Sequence, residues 1–222
     1  MEVIIHILDL FGTAVFAVTG ALAAGRKSMD IFGVVVLGCV TSMGGGTLRD
    51  IILGIQPIFW VSDSLYLAVA TVAAIGTILL APRWKLSLNA LMHADAIGLA
   101  VFTTIGFQKA LYVTNSYSIA IVMGVITAAV GGLIRDILSG EVPLVLRREI
   151  YASASLCGAG MLAFLTYLDL ATSLALSIAI LTTLIIRVAA LYWNLSLPLF
   201  QLKQENEDRE VEHVKVCLKT EK

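Results

Sequence analysis

Long apolar runs separated by short polar breaks dominate the chain. Seven runs, at roughly 3–24, 31–53, 65–81, 88–107, 117–138, 150–167 and 172–193, are almost free of charge. A helix rises about 1.5 Å per residue, so about 20 apolar residues cross a bilayer's hydrocarbon. The breaks, at 26–28, 55–64, 82–85, 109–116, 139–149 and 167–171, are short and polar. This pattern predicts an all-α polytopic membrane protein with seven transmembrane helices. Residues 199–222 depart from it: they are densely charged and read as a solvated tail.

Composition agrees with that class. Of the 222 residues, 59% are hydrophobic and 14% charged, and mean hydropathy is +0.92. A soluble domain carries about 25% charge. No soluble segment is large enough to host a dinucleotide or P-loop fold. The first run lacks a basic leader and a small-residue cleavage site, so it reads as a retained helix. Loop charge predicts the orientation. Arg26, Lys27, Arg83, Lys85, Arg147 and Arg148 fall in loops on one side, and only Lys109 on the other. The excess of Lys and Arg marks the cytoplasmic side. The N-terminus is then outside and the C-terminal tail inside. Trp60, Tyr66, Trp84, Tyr112, Tyr117, Tyr151 and Trp193 lie near span ends, where aromatic belts form. His6 and His93 read as interfacial, and Arg187 as snorkelling out of the last span. Cys39, Cys157 and Cys217 are dispersed and fit neither a metal site nor a disulfide framework.

The chain also repeats itself. Sliding it by 86 residues aligns Asp9, Gly12, Phe16, Gly20, Gly38 and Thr41 with Asp95, Gly98, Phe102, Gly106, Gly124 and Thr127. Gly45, Gly46, Arg49, Asp50, Gly54 and Pro57 likewise meet Gly131, Gly132, Arg135, Asp136, Gly140 and Pro143. Between 9 and 57, 17 of 49 aligned positions are identical without a gap. Each copy holds three spans, and an odd number inverts the second copy relative to the first. The expected organisation is a 3+3 inverted repeat, 3–85 and 88–168, followed by a seventh helix at 171–196.

The chemistry concentrates in the doubled motif. Gly44, Gly45 and Gly46 precede Arg49 and Asp50, and Gly131 and Gly132 precede Arg135 and Asp136. Glycines weaken a helix, and charge at membrane depth is costly unless it serves a pathway or a clamp. Two uses stand open. Unwound main chain can offer carbonyls to a desolvated cation, or small residues can let helices pack closely. Adjacent Arg and Asp do not face each other on a helix. Depth therefore suggests the pairs Asp9–Arg49 and Asp95–Arg135, leaving Asp50 and Asp136 to face a pathway. Thr41, Ser42, Thr47 and Thr127 either add hydroxyl ligands or bond the previous turn. Phe16 and Phe102 either pack or form an apolar gate. No nucleophile–base set, metal-ligand cluster or nucleotide loop is present. An enzyme, a cofactor, a tightly bound metal and a nucleic-acid partner are therefore not expected.

The doubled Gly-Gly-x-x-Arg-Asp motif, followed at Gly140 by Glu141-Val142-Pro143, resembles the prokaryotic branch of the trimeric intracellular cation (TRIC) channel family. That branch is also called the glycine transporter or UPF0126 family. The likeness covers roughly 3–196. It implies a homotrimer in a prokaryotic inner membrane, with a pore in each subunit passing potassium and sodium passively. It implies pore helices kinked at residues 44–46 and 131–132, with Arg49, Asp50, Arg135 and Asp136 at the mouths. Membrane lipids are the other partner. Animal members carry a Lys-Glu-Val motif and bind a phosphoinositide; this sequence lacks the motif. Val130 stands where the second glycine triplet would begin. A secondary transporter of glycine or another small zwitterion, or a non-transporting scaffold, is the alternative reading of the same architecture.

Overall fold

The computed structural model describes residues 2–84, 88–147, 150–193 and 195. The predicted tail, Cys217, and the side chains of Arg83, Trp84, Lys85 and Arg148 lie outside the described residues. Every regular element is helical: α1 (Glu2–Arg26), α2 (Ile31–Leu53), α3 (Phe59–Ser62), α4 (Leu65–Trp84), α5 (Leu88–Thr114), α6 (Tyr117–Leu138), α7 (Ala152–Tyr167) and α8 (Thr172–Trp193). Among the described residues a 3-10 turn, Leu144–Leu146, follows α6. Five helices are long and apolar enough to cross a membrane; α4 and α7 are apolar but shorter. Phe32, Val72, Leu79, Ile185 and Tyr192 project outward uncovered, which suits a surface solvated by lipid rather than by water.

Local chemistry sets the helix ends. Asp30 caps α2, its Oδ1 accepting from the Gly33 amide at 2.8 Å, which satisfies one of the orphan amides of a first turn. Past α2 and α6 the chain turns at Gly54 and Gly140, with φ of 68° and 65°. A left-handed residue there costs glycine little, because it has no Cβ to clash. These two glycines are repeat-matched, so both copies stop the same way.

The first set of helices packs α1 against α2 and α4, and the second packs α5 against α6 and α7. Contacts of α1 with α5 and of α2 with α6 join them, while α8 lies on α5 and α7. Phe16 and Phe102 meet at the centre, ring centroids 5.0 Å apart, both buried. The sequence pattern ends the fourth span near 107 and leaves Lys109 in a loop. In the structure α5 continues to Thr114, and that extension turns Lys109 inward.

Candidate ion pathway

The doubled glycines lie where α2 crosses α6. A Cβ on Gly45 would strike the Thr127 carbonyl oxygen, and one on Gly131 would strike that of Thr41. The two contacts exchange partners under the 86-residue shift, the reciprocity a two-fold relation produces. The same exchange holds for Gly12 against Phe102 and Gly98 against Phe16. Gly44 faces Ile134, Gly46 faces Phe59, and Gly132 faces Tyr151. Both helices are α-helical from end to end. The interruption expected at residues 44–46 and 131–132 is therefore absent, and no break frees a carbonyl there. The helices keep their internal hydrogen bonds because glycine's missing side chain is spent on close approach instead.

The hydroxyls follow suit. Thr41 Oγ1 donates to Leu37 O and Thr127 Oγ1 to Met123 O, each at 2.6 Å. Ser42 donates to Cys39 O at 3.0 Å and Thr47 to Met43 O at 2.7 Å. Thr47 also accepts from Trp60 Nε1 at 3.0 Å.

The charges pair differently from expectation at one end. Arg49 Nε donates to Asp50 Oδ1 at 2.8 Å, and Arg135 Nε to Asp136 Oδ1 at 2.8 Å. Neighbouring side chains on a helix diverge at Cβ, but arginine is long enough to curl back. Each aspartate spends its second oxygen on the turn that follows its helix: Phe59 N donates to Asp50 Oδ2 at 3.0 Å, and Leu144 N to Asp136 Oδ2 at 2.9 Å. Asp50 is therefore a buried anchor and not an open mouth group, whereas Asp136, anchored the same way, borders a cavity. Arg135 Nη1 also donates to Asp95 Oδ1 at 2.8 Å. The equivalent Asp9–Arg49 bond does not form. Asp9 Oδ2 instead accepts from Lys109 Nζ at 3.0 Å and from the Tyr66 hydroxyl at 3.3 Å. Arg49 lies 5.6 Å from the Phe59 ring centroid, and Lys109 lies 5.5 Å from it. A short ammonium–carboxylate contact in a poorly hydrated site outcompetes a longer one, and Lys109 reaches Asp9 first. Its repeat counterpart is Ala23, so only one copy carries this cation.

The aromatic belt also needs correction. Tyr112 and Trp193 are exposed, but Tyr66 and Tyr151 are buried beside the two charge clusters. Arg187 does not snorkel: it is fully buried, 4.9 Å over the Tyr151 ring, and donates to Ile150 O at 3.2 Å. His6 touches Tyr66, its ring nitrogen 3.3 Å from the hydroxyl, while His93 is exposed. Sequence reasoning missed Lys109, Phe59, Tyr66, Tyr151 and Arg187 as parts of the site. A signal for three of them existed. Phe59 and Tyr66 correspond to Leu144 and Tyr151 at a shift of 85, one less than 86, so a single-residue gap after Pro143 extends the repeat. No such signal marks Lys109 or Arg187.

At the opposite end from Lys109 a cavity of about 160 Å³ reaches Arg135 and Asp136 between α1, α5 and α6. Among the described residues no cluster of His, Cys, Asp and Glu is arranged to hold a metal ion.

A family model described as Glycine transporter matches this chain over residues 6–82 and 92–167. A UPF0126 membrane protein of Vibrio cholerae is 49% identical over 90% of this chain and 84% of its own length. The UPF0126 inner membrane protein YadS of Escherichia coli K12 is 45% identical over 90% of this chain and 98% of its own. Among solved structures, the TRIC trimeric intracellular cation channel orthologue from Rhodobacter sphaeroides superposes with a TM-score of 0.81 at 42% identity, covering 86% of this chain and 99% of that one. A prokaryotic TRIC channel crystallised in 0.5 M KCl gives 0.81 at 32% identity, covering 89% and 100%.

Proposed function

We propose a function from one premise: this chain belongs to the family described as Glycine transporter, the UPF0126 membrane proteins. It is an integral membrane protein and not an enzyme. We infer that it conducts monovalent cations passively; its structural relatives are named as cation channels. Potassium and sodium are the proposed ions, and a homotrimer in lipid the proposed assembly. The N-terminus is placed outside and the C-terminus in the cytoplasm. The proposed halves are 3–85 and 88–168, inverted, with 171–196 as the seventh helix.

One observation carries the reading. A single seam between α1, α2, α5 and α6 holds a buried charge cluster at each end, with the glycine crossing and the Phe16–Phe102 contact between them. Charge is buried in a membrane protein at a cost of several kcal/mol, and carboxylates at both ends suit a cation entering from either side. The crossing is closed, so conduction requires α2 and α6 to move apart at their glycine contacts. Lys109 occupies Asp9 as a tethered cation would.

The test is flux from purified protein in liposomes. Potassium should pass without any amino acid, with unitary currents in planar bilayers. Saturable glycine uptake with counterflow and no unitary steps would overturn the reading.

A further inference from the structure

At the end of the bundle where α1 gives way to α2, the 160 Å³ cavity carries four cationic side chains: Arg26, Lys27, Arg135 and Arg147. Among the described residues two carboxylates line it, Asp136 and Glu141, with Asp95 bonded to Arg135 behind the wall, and all three are committed. Asp136 has given its oxygens to Arg135 and to the Leu144 amide. Glu141 lies 2.6 Å from Lys27 Nζ and 3.2 Å from Arg147 Nη2. The hydrogen bond from Lys27 holds the Glu141 carboxyl below the usual carboxylate range.

Donors are left over. Arg135 Nη2 has no hydrogen-bond partner among the described residues, but it lies away from the cavity, beside Gly132 with the Tyr151 hydroxyl and Asp95. Ser139, 6% exposed, lines the cavity with a hydroxyl that also has none. Arg26 forms no ion pair among the described residues. A buried donor without an acceptor costs free energy, and guanidinium groups match planar or tetrahedral oxyanions in shape as well as charge. A water takes about 30 Å³ of liquid, so the cavity admits an ion of several heavy atoms.

We propose that this cavity binds a small dissolved oxyanion of the phosphate or carboxylate class. Arg26 and Arg147 reach it from the rim, and Ser139 from the buried side. The binding does not depend on the conduction reading.

The experiment uses the full chain in nanodiscs of uncharged lipid. Inorganic phosphate is titrated against chloride at constant ionic strength while Tm is followed, with glycine as a parallel arm. Phosphate should raise Tm saturably and chloride should not. In the double variant R26Q/R147Q the half-saturating concentration should rise at least about tenfold, because each lost contact is charge-assisted. Ser139→Ala should raise it less, and circular dichroism checks that both variants fold. Saturation by glycine in competition with phosphate identifies a carboxylate as the occupant. No saturable shift with either, or an unchanged midpoint in R26Q/R147Q, overturns the proposal. Potassium flux on the same preparation separates the two claims: flux without binding sinks only this site, and binding without flux sinks only conduction.

Discussion

Lys109 and Asp95 show how one side chain decides the character of each end. Asp95 and Arg135 are both fully buried and bonded at 2.8 Å. Removing Asp95 leaves Arg135 with Asp136 as its one carboxylate, so the cost approaches but stays below the roughly 3–5 kcal/mol of a fully stranded buried charge. Asp95→Ala should therefore lower thermal stability in detergent far more than a surface change does. Asp9 is held by a lysine whose side chain is 27% exposed, so that pair is less enclosed than the other. Lys109→Gln should leave Asp9 open to a mobile cation and raise potassium flux in liposomes; unchanged flux would remove Asp9 from the pathway. Glu141 carries a pH dependence of a different kind. Its folded pKa is depressed by Lys27, so the stabilisation from the Glu141 ion pairs is present above the unfolded value of about 4.3 and is lost as pH falls through the folded one. Amide exchange in the loop at 139–147 should be flat from neutral pH to about 5, once corrected for intrinsic rates, and should speed up in stronger acid. Glu141→Gln should show the fast rate at neutral pH.

Among the helices, glycines of identical composition have unlike jobs. Gly76 in α4 has nothing within 4 Å of a Cβ position, whereas one on Gly45 meets main chain of α6. Main chain cannot rotate aside as a side chain can, so Gly45→Ala should destabilise by at least about 1–3 kcal/mol. Gly76→Ala should be neutral or stabilising by up to about 1 kcal/mol. Gly132→Ala meets the Tyr151 hydroxyl at 3.0 Å and should fall between them. Thermal unfolding of the three variants in one detergent checks the order; equal effects would mean the α2–α6 crossing is looser than described. Helix length was the other lesson at this scale. The polar residues at 109–116 look like a loop by hydropathy, yet α5 runs through to Thr114. A buried carboxylate opposite Lys109 makes the charged turn worth keeping helical.

For the molecule as a whole, the four-helix seam is the route that the proposed conduction would use. Cross-linking that seam shut is the corresponding test. A bifunctional reagent joining Cys residues introduced at Leu48 and Ile134, on α2 and α6, should stop potassium flux in liposomes, and cleaving the link should restore it. Flux that persists through the closed link would place the pathway elsewhere.

Hydropathy and the 86-residue self-match determined the helical class, the approximate spans and the pairing of Asp95 with Arg135 as candidates, because these depend on local composition and on spacing along one chain. Partner choice at Asp9, the burial of Tyr66, Tyr151 and Arg187, and the use of the glycines for contact were decided only in three dimensions. Each depends on how far one helix is rotated about its axis against another. An apolar sequence written for lipid on one side and protein on the other carries little periodic contrast to specify that rotation.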